Sequence, residues 1–319
     1  MVQKMVEQPK KHYGWIVALF VVFFMVILFF GFIGLFISVV FFDDGPTLTG
    51  NVAVIPLVGP IVGDGEEDFF SGADVAISSR IVEKIHKAED DHSIRAIILE
   101  INSPGGSPVA SDEIAQAVEK SKKPILVVIR EIGASGAYWA AAPADVIIAH
   151  HMSMVGSIGV ISSYLEFPDL LNRFNITYNR LVAGKYKDTG TPYRKLDEEG
   201  EKLIQEMLDE IYYEFINQVA THRKLDPKFV EQLATGWVYT GRKAKELGLI
   251  DELGGREEAL AIIEKDLNIT AEVVEYKTQP TFFDYLSGST QASAKQVGMG
   301  IGESLITAST KPQSFEVKV

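Results

Sequence analysis

The chain has 319 residues, 47% of them hydrophobic, with a formal charge of −13 and no cysteine. That length suits one large domain or two smaller ones with a substantial buried core. The acidic balance argues against nucleic acid as a partner, because phosphate binding needs a basic footprint; the lack of cysteine excludes disulfides, thiol catalysis and thiolate metal sites.

Residues 15–42, WIVALFVVFFMVILFFGFIGLFISVVFF, contain no charged side chain. As a helix they would rise roughly 42 Å, more than the ~30 Å hydrocarbon core of a bilayer needs. A tilted transmembrane anchor is expected. A cleaved signal peptide would have an apolar region of only ~7–15 residues and then a small-residue cleavage site, whereas this run ends in FFDDGP. Lys4, Lys10 and Lys11, set against Glu7, precede the span, and Asp43 and Asp44 follow it. The positive-inside bias then keeps residues 1–14 cytoplasmic and places the rest of the chain on the other side of the cell membrane. Taking the +2 of residues 1–42 from −13 leaves −15 for residues 43–319, so the outer part should be soluble and should not cling to anionic lipid.

After a linker at 43–50, the apolar run NVAVIPLVGPIV reads as a strand ending near Gly63. Helices at about 74–89 and 108–121 then alternate with strands at 94–101, 124–130 and 145–150, and a further helix starts at Ser135. Such alternation implies right-handed crossovers and a mostly parallel sheet. Its continuous apolar strands, AIILEI and ILVVI, are those of a sheet covered on both faces. Ligands gather at the carboxyl ends of such strands, where two Gly-rich loops lie, NSPGGS at 102–107 and EIGASG at 131–136. Residues 176–184, ITYNRLVAG, read as another strand. A long helix follows with an apolar stripe of Leu203, Ile204, Met207, Leu208, Ile211, Phe215, Ile216 and Val219, which reads as core packing. The globular domain is expected over 51–277. The Ser/Thr/Gly/Gln-rich tail, 278–319, is expected to be peripheral or mobile.

Ser135 is a lone hydroxyl between Gly133 and Gly136, directly after a strand. It is either a helix N-cap or a nucleophile, and a nucleophile needs a base and donors for the developing oxyanion. The amides of Gly105 or Gly106, in a loop whose glycines can reach unusual φ, and of Gly136, at a helix start, could be those donors. The G-x-S-x-G elbow of the α/β-hydrolases is matched only in part. For the base, His150 and His151 end a strand near the site and leave a Ser-His-Asp triad open. Lys185 and Lys187 are the alternative, since a lysine in apolar surroundings can be neutral near pH 7; spacing does not choose between them.

Taken together, INSPGGS, EIGASGAYWAAAPAD, the GSIGV stretch at 156–160, GKYKD and YTGRKAKELGLIDELG resemble, in order and between about residues 51 and 268, signal peptide peptidases of the SppA type. These are membrane serine peptidases with a Ser/Lys dyad and a Clp protease/crotonase-type α/β fold. The resemblance implies Ser135 as nucleophile, Lys187 and not Lys185 as general base, Ser157 as the residue orienting that lysine, and the amides of Gly106 and Gly136 as oxyanion donors. It also implies no cofactor or metal, and a ring-shaped homo-oligomer in which serine and lysine can come from neighbouring protomers. The substrates implied are remnant signal peptides or other extended, membrane-derived peptides. His150 and His151 are then surface residues at a strand end. Alternative readings are a membrane protease specific for a membrane-protein partner, a catalytically silent tethered scaffold, and a crotonase-like acyl-CoA enzyme, the last disfavoured for an extracytoplasmic domain.

Overall fold

The computed structural model describes residues 14–41, 50–64 and 75–276. The tail expected at 278–319, the cytoplasmic segment 1–13 and linker residues 43–49 lie outside the described residues. Gly14–Phe41 is one helix, α1, of 28 residues. Its side chains are described over 19–34, and among the described residues no helix is long and apolar enough to cross a membrane. The residues from Gly50 onward form a separate unit.

That unit opens with β1 (Val52–Val58), β2 (Ile61–Val62), β3 (Ala76–Ile77), α2 (Ser78–Asp90), β4 (Ala96–Ser103), α3 (Pro108–Lys120), β5 (Ile125–Ala134) and α4 (Gly136–Ala141). It continues through β6 (Val146–Ala149), β7 (Met154–Gly156), α5 (Pro168–Arg173), α6 (Glu198–Arg223), α7 (Pro227–Leu233) and β8 (Val238–Thr240). α8 (Gly241–Glu246), β9 (Glu252–Leu253), α9 (Arg256–Leu267) and β10 (Val273–Glu275) complete it. The main sheet runs β10-β1-β4-β5-β6-β9 with all neighbours parallel, and β7 and β8 branch from the end of β5. Flanking helices on a mostly parallel sheet are the α/β architecture expected from the alternating pattern.

The near-continuous apolar strands follow from burial on both faces. On β1 and β4, Ala53, Ile55, Leu57, Ile97, Leu99 and Ile101 face the core shared with α2, α3, α4 and α6, while Val52, Val54, Ala96 and Ile98 face the side covered by α9. Each buried Ile or Leu side chain is worth about 1.5–3 kcal/mol relative to exposure, which pins the strand register and hence the loops at their ends.

Three expectations change. The single strand expected at 51–62 is two, β1 and β2, because Gly59 at φ 81° turns the chain and β2 pairs with β3 instead of the main sheet. Residues 176–184 form no strand; Ile176, Tyr178, Leu181 and Val182 are exposed and no neighbouring strand supplies hydrogen bonds. The α6 stripe enters the core only at Phe215, Ile216 and Val219, whereas Leu203 and Met207 are exposed and Leu208 and Ile211 line an open cleft.

Candidate active site

β4 and β5 lie side by side, so the loops at their carboxyl ends meet. Beyond Ile129, β5 exchanges its neighbour β6 for β7, and this fork in the sheet opens the space into which the chain turns at Ser135. The Ser135 N–H donates to the Gly156 carbonyl at 2.8 Å, and the Ser135 carbonyl accepts from Tyr138 N–H at 2.8 Å and Trp139 N–H at 3.0 Å. These bonds hold Ser135 at φ 53°, ψ −129°, a conformation that costs a side-chain-bearing residue about 1–3 kcal/mol. α4 is in turn anchored by Tyr138, whose hydroxyl donates to the Leu249 carbonyl at 2.7 Å, and by Trp139, stacked on Phe215 at 4.8 Å. Burial pushes the Tyr138 phenol above its ordinary range, so it stays a neutral donor.

The N-cap reading of Ser135 is excluded at the side chain: the residue holds the N-cap position of α4, but its hydroxyl bonds to no amide of that helix. Two backbone amides lie close by. A Cβ on Gly136 would fall 3.2 Å from Gly106 N, and a Cβ on Gly105 would fall 2.6 Å from Gly136 N and 2.9 Å from Ser135 Cβ. Only glycine lets the two loops approach this closely. Among the described residues neither the Gly106 nor the Gly136 amide donates to a protein acceptor. A hydroxyl free to react beside two unpaired donors is chemically suited to acyl transfer, with the donors receiving the carbonyl oxygen as it gains charge.

Ser135, Gly106, Gly136 and Ser157 line one cleft of about 670 Å³, walled by apolar residues that include Trp139, Val160, Ile161, Leu208, Ile211 and Phe215. Ser157 stands at φ 51°, receiving the end of the β8 approach: its N–H donates to the Trp237 carbonyl at 2.9 Å and its hydroxyl to the Gly236 carbonyl at 3.2 Å.

Lys187 is not in this cleft. It sits on an exposed turn, where its backbone N–H donates to the Gly184 carbonyl at 3.2 Å. Every neighbour in that turn is tied down. Lys185 Nζ and the Tyr186 hydroxyl both donate to Glu199. Asp188 accepts a bidentate pair from Arg180 at 2.7 and 2.8 Å, and longer bonds from Arg194 at 3.3 and 3.4 Å. The two guanidiniums, Arg180 foremost, hold the Asp188 carboxyl well below the usual carboxylate range. Glu199 raises the Lys185 ammonium, keeping that lysine charged and unsuited to proton abstraction. Lys187 alone in the Lys185–Asp188 run has a side chain with no hydrogen bond or ion pair among the described residues. The sequence contained the charges of this clamp but no spacing that pairs residue 180 with 188 and 194.

His150 and His151 lie on the exposed β6–β7 turn, ring centroids 4.1 Å apart, with His150 Nδ1 accepting the Met152 N–H at 3.3 Å. Neither lines the cleft, so a triad through them is not formed. Among the described residues no group of three or more His, Asp or Glu could hold a metal.

Residues 117–270 match the profile of Peptidase family S49, and residues 68–157 match that of Clp protease. A protease of Methanocaldococcus jannaschii is 40% identical over 220 residues, covering 68% of this chain and 70% of that one. An SppA-named signal peptide peptidase of Enterococcus faecium is 37% identical over 237 residues, 73% of this chain and 69% of that one. Protease 4 of Haemophilus influenzae is 33% identical over 221 residues, which are 68% of this chain and 35% of that longer one.

Proposed function

The chain belongs to peptidase family S49, the SppA-type serine peptidases, and from that premise we propose that it is a membrane-anchored endopeptidase with Ser135 as nucleophile and Lys187 as general base. One observation supports this above the others: an uncommitted hydroxyl at a strained turn, beside amides of Gly106 and Gly136 that have no acceptor among the described residues, lining one cleft.

The neutral Lys187 amine removes the Ser135 proton as Oγ attacks the scissile carbonyl, and the oxyanion that forms is received by the Gly106 and Gly136 amides. Collapse expels the amine product, which takes its proton from the lysine ammonium, leaving an acyl group on Ser135. Lys187 then draws a proton from water as its oxygen attacks the acyl carbonyl, and on collapse the lysine ammonium returns that proton to Ser135 Oγ as the acid product leaves. Ser157 orients the lysine.

Because Lys187 is solvent-exposed in the single chain, the amine that serves Ser135 is contributed by a neighbouring copy in a ring-shaped homo-oligomer. Two features favour this: the clamped turn leaves Lys187 exposed, and the chain leading into it exposes apolar side chains, Ile176 at 54% and Leu181 at 96%, that a partner would cover. The anchor in this reading is the uncharged run of residues 15–42, read from the sequence, with the catalytic unit outside the cytoplasm. The apolar part of the cleft wall, Trp139, Val160, Leu208, Ile211 and Phe215, can receive apolar side chains of an extended segment such as a remnant signal peptide.

The test is complementation in detergent with the full chain. Ser135→Ala and Lys187→Ala are each expected to lack peptide hydrolysis, and mixing the two variants to restore part of it. Activity in Ser135→Ala alone would overturn the proposal; two inactive variants whose mixed assemblies also stay inactive would overturn the sharing of the dyad between copies.

A further inference from the structure

In the loop that presents the Gly106 amide the neighbouring backbone N–H groups are accounted for, and one of them bonds a side chain that the chemistry above does not use. Pro104 has no N–H. The Gly105 carbonyl accepts from Ile61 N–H at 2.9 Å, and the Ser107 N–H donates to the Ile61 carbonyl at 2.9 Å. In this parallel bridge Ile61 bonds the groups that flank Gly106, so the N–H of Gly106 itself points to the opposite edge, away from β2. The remaining N–H, that of Gly105, donates to the hydroxyl of Ser103 at 3.1 Å.

Ser103 is fully buried at the end of β4, opposite Gly133 and just past a shift in the β4–β5 register. We infer that Ser103 is a positioning residue for the oxyanion site: its hydroxyl fixes the Gly105 peptide, and through it the direction of the Gly106 amide. This rests on the reading of Ser135 as nucleophile. The lever is short because there is no slack around it. Gly105 stands at φ 95°, and the place of its missing Cβ lies 2.6 Å from Gly136 N and 2.7 Å from the Ala134 carbonyl oxygen. A rotation of the Gly105 peptide that sought another acceptor would therefore move Gly106 relative to both Ser135 and Gly136. A serine bonding the amide two residues on is also a common local turn, and such a turn acting for stability alone would leave the transition state untouched.

The experiment compares the full chain with Ser103→Ala, Ser103→Thr and Ser103→Val, the last two alike in shape and differing in the hydroxyl. For hydrolysis of an apolar peptide, Ser103→Ala and Ser103→Val are expected to lose about 10- to 100-fold in kcat with KM within about threefold, the pattern of an interaction made only in the transition state. A peptide boronic acid, whose tetrahedral adduct occupies the oxyanion site, should bind more weakly by a similar factor, and Ser103→Thr should stay within about threefold of the parent on both readouts. If Ser103→Ala does not fold, the Thr and Val pair decides alone. Unchanged kcat in the variants lacking the hydroxyl, or Thr no better than Val, overturns the inference. Ser135→Ala is assayed alongside: hydrolysis by that variant removes the nucleophile reading itself, whereas an inert Ser135→Ala beside a fully active Ser103→Ala removes only the role of Ser103.

Discussion

The two halves of the proposed dyad sit in opposite kinds of structure. Ser135 ends a central strand, with fully buried Ala137 and Tyr138 behind it and loops interlocked so tightly that three glycines have no room for a methyl group. Lys187 lies on a turn of an exposed arm that has no sheet neighbour and is held by ion pairs with Arg180, Arg194 and Glu199. Geometry at the first is set by apolar burial, which water and salt barely weaken. At the second it depends on partly solvated charges, which salt screens and which contribute little singly. The nucleophile and its two amides are thus brought together by the buried core of one chain, whereas Lys187 stands apart from them on the surface.

Substitutions should expose that contrast. Ser135→Ala and Lys187→Ala are expected to cost at least about 10³-fold in kcat/KM, while Lys185→Ala and the His150/His151 double alanine stay within about threefold; initial-rate assays on a peptide substrate check all four, and the reverse pattern would falsify the choice of base. Gly106→Ala comes next. Its Cβ would sit 2.0 Å from the Ile61 carbonyl oxygen, so the loop must move, and both the melting temperature and kcat should fall. Gly105→Ala, at φ 95°, should lose about 1–3 kcal/mol in a denaturant titration.

The clamp calls for milder effects. Asp188→Asn should leave the melting temperature of the catalytic unit nearly unchanged, lower activity by about tenfold and make the remainder more salt-sensitive. A carboxyl held below its usual range contributes its stabilisation at every pH above the ordinary carboxylate value and loses it only as pH falls through the lowered one. The pH dependence of activity above the ordinary carboxylate range should therefore be the same in Asp188→Asn as in the parent; a changed profile there would assign it to the clamp. The smallest effect on the single chain is expected for Leu181→Ser. That side chain is 96% exposed, so protomer stability should change by less than about 0.5 kcal/mol, while sedimentation should show weaker self-association.

The amino-acid sequence by itself determined the alternating α/β order, the sheet buried on both faces, and the lone Ser135 between its Gly-rich loops; Ser157, and the choice of Lys187 over Lys185, entered only through the family resemblance. Those features are local or periodic: apolar runs, helical spacing, and glycine where the backbone must do what other residues cannot. Only the tertiary structure decided that Ser135 caps nothing with its hydroxyl, that Ser103 meets Gly105, that Arg180 and Arg194 converge on Asp188, and that Leu208 and Ile211 of the α6 stripe line a cleft. Each of these depends on groups brought together through space, or on which face of an element is left uncovered, and neither is set by the spacing of residues along the chain.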